Sequence, residues 1–458
     1  MVQIVFGDDY IEATLPSTTR LVEPSFSIPM EPIADLARAV HIALKNPMDA
    51  QPLTDQVGPN WSVTIAFDDP TVPCYASVWE TAISTVLGEL KKIGVDKNRI
   101  TLLCANALHR KFRLSELETI LGSTIVHAFC DRIVCHDAED PNGIVHLGET
   151  RSGYDVEVNR NVVESNLTIY VNAASTGFNG GWKSICVGLS SWRSIRWHHT
   201  PDIMSMSLVR NPMHEILNEM GELVESKLGR GRIFKIETLL ANPFQAACMW
   251  TGSVNATRQA SLELLKARSV PRRQLLSDKA DIICYGLPNW SPYAAFSNMT
   301  PILTLISTGL GYLGGMIEAI GKPGCSVIIA TPCPNQWDEN HHPTHREIWN
   351  RVLANTKDPD QIMSSYADEF ATRADYIAKY RSKYAFHPIH GLLALQPLKR
   401  LRHVSQVFIA GIQEPKIAQR LNFTPTKTVE EAIVEAQSFH GKDAVVAFVQ
   451  YPMMINRQ

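Results

Sequence analysis

At 458 residues, with 45% hydrophobic and 19% charged side chains, the chain is long enough for two or three globular domains with substantial cores. A formal net charge of −3 gives no global electrostatic reason to bind nucleic acid or an anionic membrane. No long run of like charge supplies a local one, so small-molecule partners are favoured.

The start, Gln3-Ile-Val-Phe-Gly-Asp-Asp-Tyr-Ile-Glu-Ala-Thr-Leu15, predicts two short strands joined by a Gly-Asp-Asp turn, an edge decoration. It lacks the basic start and long apolar stretch of a secretory signal. Residues 33–44 carry apolar positions at helical spacing, ended by Asn46-Pro47. From Trp61 strands and helices alternate. Residues 63–67 read as a strand, Val78 to Leu90 as a helix stopped by Gly94, and residues 100–104 as the next strand. Further apolar runs at 124–128, 167–171 and 233–240 read as strands and complete the signature of an α/β domain.

Residues 255–268 predict a helix, and the charged, proline-bearing stretch 269–279 reads as a linker. Beyond it, strands are expected at 280–285, 326–330, 406–410 and 444–449, with helices between. The last helix carries a capping box in Thr428-Val-Glu-Glu431. Residues 301–321 are the most apolar long window, but Thr304, Ser307, Thr308, several glycines and Glu318 mark a buried helix rather than a membrane span. Residues 338–381 are unusually polar, an expected inserted excursion. The fold class is therefore α/β, with two α/β domains at residues 1–270 and 277–458 and an active crevice between them. The nine cysteines are scattered without a Cys-x-x-Cys pair, several in apolar runs such as Leu102-Leu103-Cys104, and point to reduced thiols in a cytoplasmic protein.

In open α/β sheets, ligands gather beyond the carboxyl ends of strands. Asp68-Asp69, Ala107-Leu108-His109-Arg110 and Ser175-Thr-Gly-Phe-Asn-Gly-Gly-Trp-Lys183 each follow an expected strand. The third is rich in residues that let backbone approach a ligand closely. From Gly177 to Lys183-Ser184 the spacing nearly matches a phosphate-cradling P-loop, but Trp182 stands where that motif needs glycine. A lysine so placed could instead bond covalently to a cofactor or carbonyl. The bland alternative is a glycine-rich turn with a solvated lysine. Asp69 is equally a helix N-cap by position, and His109, on a strand-to-helix loop, reads by itself as a surface histidine sooner than a base. His198-His199 is equally a polar loop. The cluster Asn340-His341-His342-Pro343-Thr344-His345, flanked by Trp337 and Trp349, reads as a polar loop, a second metal site or a replacement base.

With these residues, the chain resembles the nickel-pincer lactate racemase family over nearly its whole length. The likeness runs through Glu31-Pro-Ile-Ala, Lys45-Asn-Pro, Asp68-Asp69-Pro-Thr71, Leu108-His109-Arg110, Leu147-Gly148, Asn159-Arg160, Gly177-Phe-Asn-Gly180-Gly181-Trp-Lys183 and Val429-Glu-Glu-Ala. The glycine-lysine stretch followed sixteen residues later by His199 is its most specific part. The resemblance implies a nicotinate-derived nickel-pincer nucleotide held by thioamide linkage at Lys183, with Gly180 and Gly181 beside it and His199 ligating Ni. It also implies His109 as a general base, Asp69 in the catalytic group, racemisation or epimerisation by reversible hydride transfer, and cofactor-synthesis enzymes as partners.

Departures are equally plain. The second catalytic histidine of the pattern is Ala173, ten residues before Lys183, and the arginine after Asp-Asp-x-Thr is Val72. The later Tyr-Gln-x-x-Lys has become Tyr293-Ala-Ala-Phe-Ser. The expected substrate is thus a small hydroxy compound other than lactate. A non-catalytic carrier of the nucleotide and a nickel-independent phosphate-binding enzyme remain as alternatives.

Overall fold

A computed structural model describes residues 1–22, 28–205, 207–208, 210–269 and 279–458. In chain order its strands are β1 Val2–Phe6, β2 Asp9–Ala13, β3 Thr19–Val22, β4 Val63–Asp68, β5 Ile100–Ala105, β6 Ile133–Cys135, β7 Ile144–Glu149 and β8 Asp155–Asn159. Then come β9 Leu167–Ala174, β10 Ile233–Asn242, β11 Gln245–Gly252, β12 Ala280–Gly286, β13 Gly321–Ala330, β14 Val404–Ala410, β15 Thr424–Thr426 and β16 Val446–Val449. They divide between two compact units, one of Met1–Ile28, Ser269–Ala378 and Ala385–Gln458, the other of Pro29–Arg268 and Lys379–Tyr384. Most of the expected linker falls on 270–278, outside the described residues.

This division departs from a simple cut at residues 1–270 and 277–458. The first 28 residues join the C-terminal unit, where β3 pairs in parallel with β16, Thr19 against Val446 through Val22 against Val449. The expected hairpin forms, Val2 opposite Ala13 and Phe6 opposite Asp9. Rather than decorating an edge, it places Ile4 and Ala13 in the same core as Ile282, Ile328, Phe408 and Phe448. Burying a large side chain such as that of Ile4 contributes about 1.5–3 kcal/mol. That unit's sheet runs β15-β14-β13-β12-β16-β3, with every pairing parallel. The apolar window is helical from Ile302 to Ile320 and mostly buried; among the described residues it is the one helix long and apolar enough to cross a membrane.

The other unit carries a sheet of order β11-β10-β9-β4-β5-β6, parallel except for the β10–β11 edge. The chain runs from β4 outward to β5 and β6, then returns to lay β9 on the other side of β4. The strand order therefore reverses between β4 and β9, which opens a crevice beyond their carboxyl ends. All five residues of β4 before Asp68 are buried, as are all eight of β9, so the sheet centre is a rigid platform. Gly94 ends the helix Val78–Ile93 in the left-handed conformation, φ 92°.

One expected strand is a helix. Residues 124–128 lie within Ser123–Phe129, whose buried Ile125, Val126 and Phe129 fall on one helical face. The β-branched pair suggested a strand, but packing of that face overrides intrinsic preference. The expected excursion at 338–381 is ordered, with helices at Pro359–Ala371 and Ala374–Ser382.

Candidate functional site

Two loops meet at the β4–β5 edge of the crevice. Asp69 follows β4 and is 2% exposed, so its carboxylate requires donors. It accepts the Thr71 amide at 3.1 Å and the Thr71 hydroxyl at 2.5 Å on Oδ1. His109 Nδ1–H donates to Oδ2 at 2.8 Å. That bond fixes the imidazole tautomer and leaves the acceptor lone pair at Nε2. His109 itself stays partly exposed.

The His109 turn is braced on both sides. Ala107 adopts φ 47°, and Asn106 donates from its side chain to the carbonyls of His109 and His136 at 3.1 and 3.0 Å. Arg110 is fully buried and grips Glu116 with two bonds of 3.0 and 2.9 Å. Its guanidinium also lies 4.4 Å from the Phe112 ring centre. Such bidentate geometry stiffens the turn that aims His109.

Across the crevice, β9 leads into the glycine loop. Gly180 and Gly181 sit at φ 85° and 58°, and a Cβ on Gly180 would lie 2.3 Å from Glu237 Oε1. Only glycine satisfies both conditions. Glu237, fully buried on β10, accepts the Gly181 amide at 3.3 Å and the Ser261 hydroxyl at 2.7 Å. Arg258 donates to the carbonyls of Gly177, at 2.7 Å, and Asn179, while His214 Nε2 donates to that of Phe178 at 3.1 Å. Trp182, where a P-loop needs glycine, is a core anchor whose Nε1 donates to Asn255 at 2.9 Å.

Lys183 opens the short helix Lys183–Cys186, its Nζ 4.6 Å from the Phe178 ring centre. Burial lowers its pKa, against the charges of Asp68 and Asp69. A desolvated lysine has more of the neutral amine that forms covalent bonds. His198 and His199 approach Nδ1 to Nδ1 at 2.8 Å. Burial holds His198 down to about 3, and burial plus the charges of His198, Lys183 and His109 hold His199 well below the usual imidazole range. A neutral imidazole is the form that ligates metal. Among the described residues no three His, Cys, Asp or Glu side chains group as a metal site. A metal whose other donors come from an organic cofactor needs only one imidazole.

Asp68, expected only as part of the polar pair that follows a strand, and Tyr170 and Lys235, which were not foreseen from the sequence, also take part. Asp68 accepts the Tyr170 hydroxyl at 3.0 Å and the Ala173 amide at 2.9 Å. Burial raises its pKa to about 6, with Lys235 the strongest opposing influence. Lys235, fully buried, donates to Ser184 Oγ at 2.6 Å and lies 4.4 Å from the Tyr170 ring centre. Burial lowers its pKa to about 8. The available signal was two charges, Lys235 and Glu237, in an otherwise apolar strand.

In the C-terminal unit, Asp338 accepts His341 Nδ1 at 3.0 Å and the Asn298 amide at 3.0 Å. His342 stacks on His345 and on Phe386, ring centres 4.5 Å apart in each case. His342 Nε2 donates to the Tyr293 carbonyl at 2.9 Å, and His345 Nδ1 shares a 2.9 Å bond with Thr300. Trp337 and Trp349 pack edge to face at 5.6 Å. The stretch is a loop up to His345, and its imidazoles stack on one another and on Phe386.

Residues 6–208 match the lactate racemase N-terminal domain family. The chain is 23% identical over 418 residues to a lactate racemase of Lactiplantibacillus plantarum, covering 90% of this chain and 88% of the relative. It is 26% identical over 417 residues to the lactate racemase of Thermoanaerobacterium thermosaccharolyticum, covering 88% and 86%. The structure of the lactate racemase apoprotein from the latter organism covers 100% of both chains, with TM-score 0.69 and 19% identity. A Thermotoga maritima crystal structure covers 93% of this chain and 98% of its own, with TM-score 0.56 and 15% identity.

Proposed function

We propose that this divergent member of the lactate racemase family is a cytoplasmic isomerase that interconverts stereoisomers at a hydroxyl-bearing carbon with the help of a nickel-pincer nucleotide attached at Lys183. The observation that carries the reading is the Asp69–His109 pair, bonded at 2.8 Å, in the same crevice as a desolvated Lys183 on a braced glycine loop.

The residues fit such a group. Lys183 has the lowered amine pKa that covalent attachment needs, Gly180 and Gly181 add no side chains of their own to the loop, and His199 is a neutral imidazole within electrostatic reach of Lys183. Bound there, the nucleotide would accept hydride from the carbinol carbon and return it. The protein manages protons: His109 Nε2 takes the substrate hydroxyl proton, and Asp69 stabilises the imidazolium through Nδ1–H.

The substrate is a hydroxy compound other than lactate, such as a sugar acid. Val72 replaces the arginine of the family pattern, and Tyr293-Ala-Ala-Phe-Ser297 contains no lysine. Losing a charge-assisted bond to a carboxylate costs about 1.5–3 kcal/mol. Loading depends on cofactor-synthesis enzymes as partners. A second reading, a non-catalytic carrier of the nucleotide, is favoured by Ala173 at the position of the second base. Protein made alongside those enzymes and offered a stereoisomer panel of sugar acids, polyols and aryl hydroxy acids separates the two: interconversion supports the isomerase, and bound nickel without turnover supports the carrier.

A further inference from the structure

Asp68 and Asp69 are neighbours at the end of β4, yet they hold different partners. Asp69 is committed to Thr71 and His109. Asp68 takes the Tyr170 hydroxyl and the backbone amide of Ala173. Ala173 is the position where the family pattern has its second histidine, and here it offers a methyl group that is 1% exposed. A methyl cannot move a proton, but the carboxylate held by its amide can. Asp68 also keeps part of its surface accessible, whereas Asp69 is 2% exposed.

We propose that Asp68 is the second acid–base residue of this reaction, serving the stereoisomer that His109 does not, with Tyr170 positioning its carboxyl group. The inference rests on the isomerase reading given above.

The surroundings suit the task. In unloaded protein burial raises Asp68 to about 6, while Lys235, the Ala173 amide, the charged Lys183 and the Tyr170 hydroxyl keep it from rising further; attachment at Lys183 removes one of those opposing charges and leaves the Lys235 charge, the Ala173 amide and the Tyr170 hydroxyl. Asp69 and Cys104 also act on Tyr170, Cys135 on Cys104, and Glu237 and Arg258 on Lys235. A carboxyl group near that value both takes and returns a proton around neutrality. In the direction it serves, the substrate O–H bond breaks and an O–H bond forms on Asp68. The nucleotide, held at Lys183, would supply the acceptor for the carbinol hydrogen and its electron pair, so that the substrate would be oxidised to the ketone. In the other direction the ketone is reduced, gaining that hydride at carbon and the Asp68 proton at oxygen.

The test is rapid-quench measurement of ketone formed in a single turnover from each stereoisomer separately, using cofactor-loaded protein. Asp68→Asn is expected to slow ketone formation from one stereoisomer by about 10²- to 10⁴-fold and spare the other, with His109→Ala giving the mirror pattern. Equal slowing of both stereoisomers by Asp68→Asn, or slowing of neither, overturns the proposal. No ketone from wild type with any stereoisomer pair overturns the isomerase reading itself and this assignment with it. Infrared titration of unloaded protein gives an independent readout: a carboxyl band titrating near pH 6 in wild type and lost in Asp68→Asn supports the assignment, and its absence from wild type contradicts it. Should Asp68→Asn misfold, Tyr170→Phe removes a donor to the carboxylate and is expected to move that titration upward; an unmoved titration counts against the arrangement.

Discussion

The Asp69 carboxylate accepts His109 Nδ1–H at 2.8 Å while its other oxygen is held by both the amide and the hydroxyl of Thr71. The carboxylate cannot turn without breaking three bonds, so the imidazole orientation is set by the backbone that follows β4. Asp69→Asn is expected to lower kcat by about 10²- to 10⁴-fold with little change in KM, because an amide no longer enforces the tautomer with its acceptor at Nε2. Steady-state kinetics on protein with confirmed Lys183 loading checks this. Unchanged kcat removes Asp69 from the mechanism.

Gly180→Ala tests the glycine loop. Two costs add there, a left-handed φ of 85° and a Cβ 2.3 Å from Glu237 Oε1. Gly153 is the natural control, since it has φ 81° and nothing within 4 Å of its added Cβ. Gly153→Ala should lose about 1 kcal/mol from conformation alone. Gly180→Ala should lose distinctly more and load less cofactor. Urea denaturation of both variants measures the difference, and equal losses mean that Glu237 yields easily.

The ionisation of Asp68 gives a signed prediction for stability. Its folded pKa, about 6, lies above the ordinary 3.8, so between those values the folded state binds the proton more tightly than the unfolded chain. Its contribution is therefore favourable at low pH and is lost as pH rises through that window. Asp68→Asn, which cannot ionise, should gain stability relative to wild type between pH 4 and pH 7. A difference that stays constant, or shrinks with rising pH, rules out a raised carboxyl.

Val72→Arg addresses substrate choice. Val72 stands three residues beyond Asp69, its amide donating to the Asp69 carbonyl at 3.2 Å. An arginine there should improve the apparent affinity of a small hydroxy-carboxylate by about 10- to 100-fold through a charge-assisted bond. KM for lactate in loaded wild type and variant provides the comparison. Wild type already using lactate as well as its best panel substrate would remove the premise.

Much of the crevice was legible in the sequence because its strands are short apolar runs ending in polar residues. The runs at 63–67, 100–104, 167–171 and 233–240 fall within β4, β5, β9 and β10. Long-range pairing was not legible: nothing local to Thr19–Val22 shows that it pairs with β16, more than 400 residues later. Nor does periodicity reveal that Lys235 and Glu237 brace the glycine loop, because their partners Ser184, Gly181 and Ser261 come together only in the fold. The run at 124–128 failed because its helical face finds a core to pack against. The separate partners of Asp68 and Asp69 arise because one carboxylate meets β9 while the other meets its own loop and the turn after β5.

The central claim is that Lys183 carries the cofactor with which this protein interconverts hydroxy stereoisomers. The most direct measurement combines mass mapping of the Lys183 peptide, nickel content and stereoisomer interconversion on the same protein, made alongside cofactor-synthesis enzymes, for wild type and Lys183→Ala. The expected result is an adduct on Lys183, bound nickel and turnover of at least one stereoisomer pair in wild type, with all three lost in the variant. An unmodified Lys183 peptide with no nickel, or turnover that survives in Lys183→Ala, would contradict it.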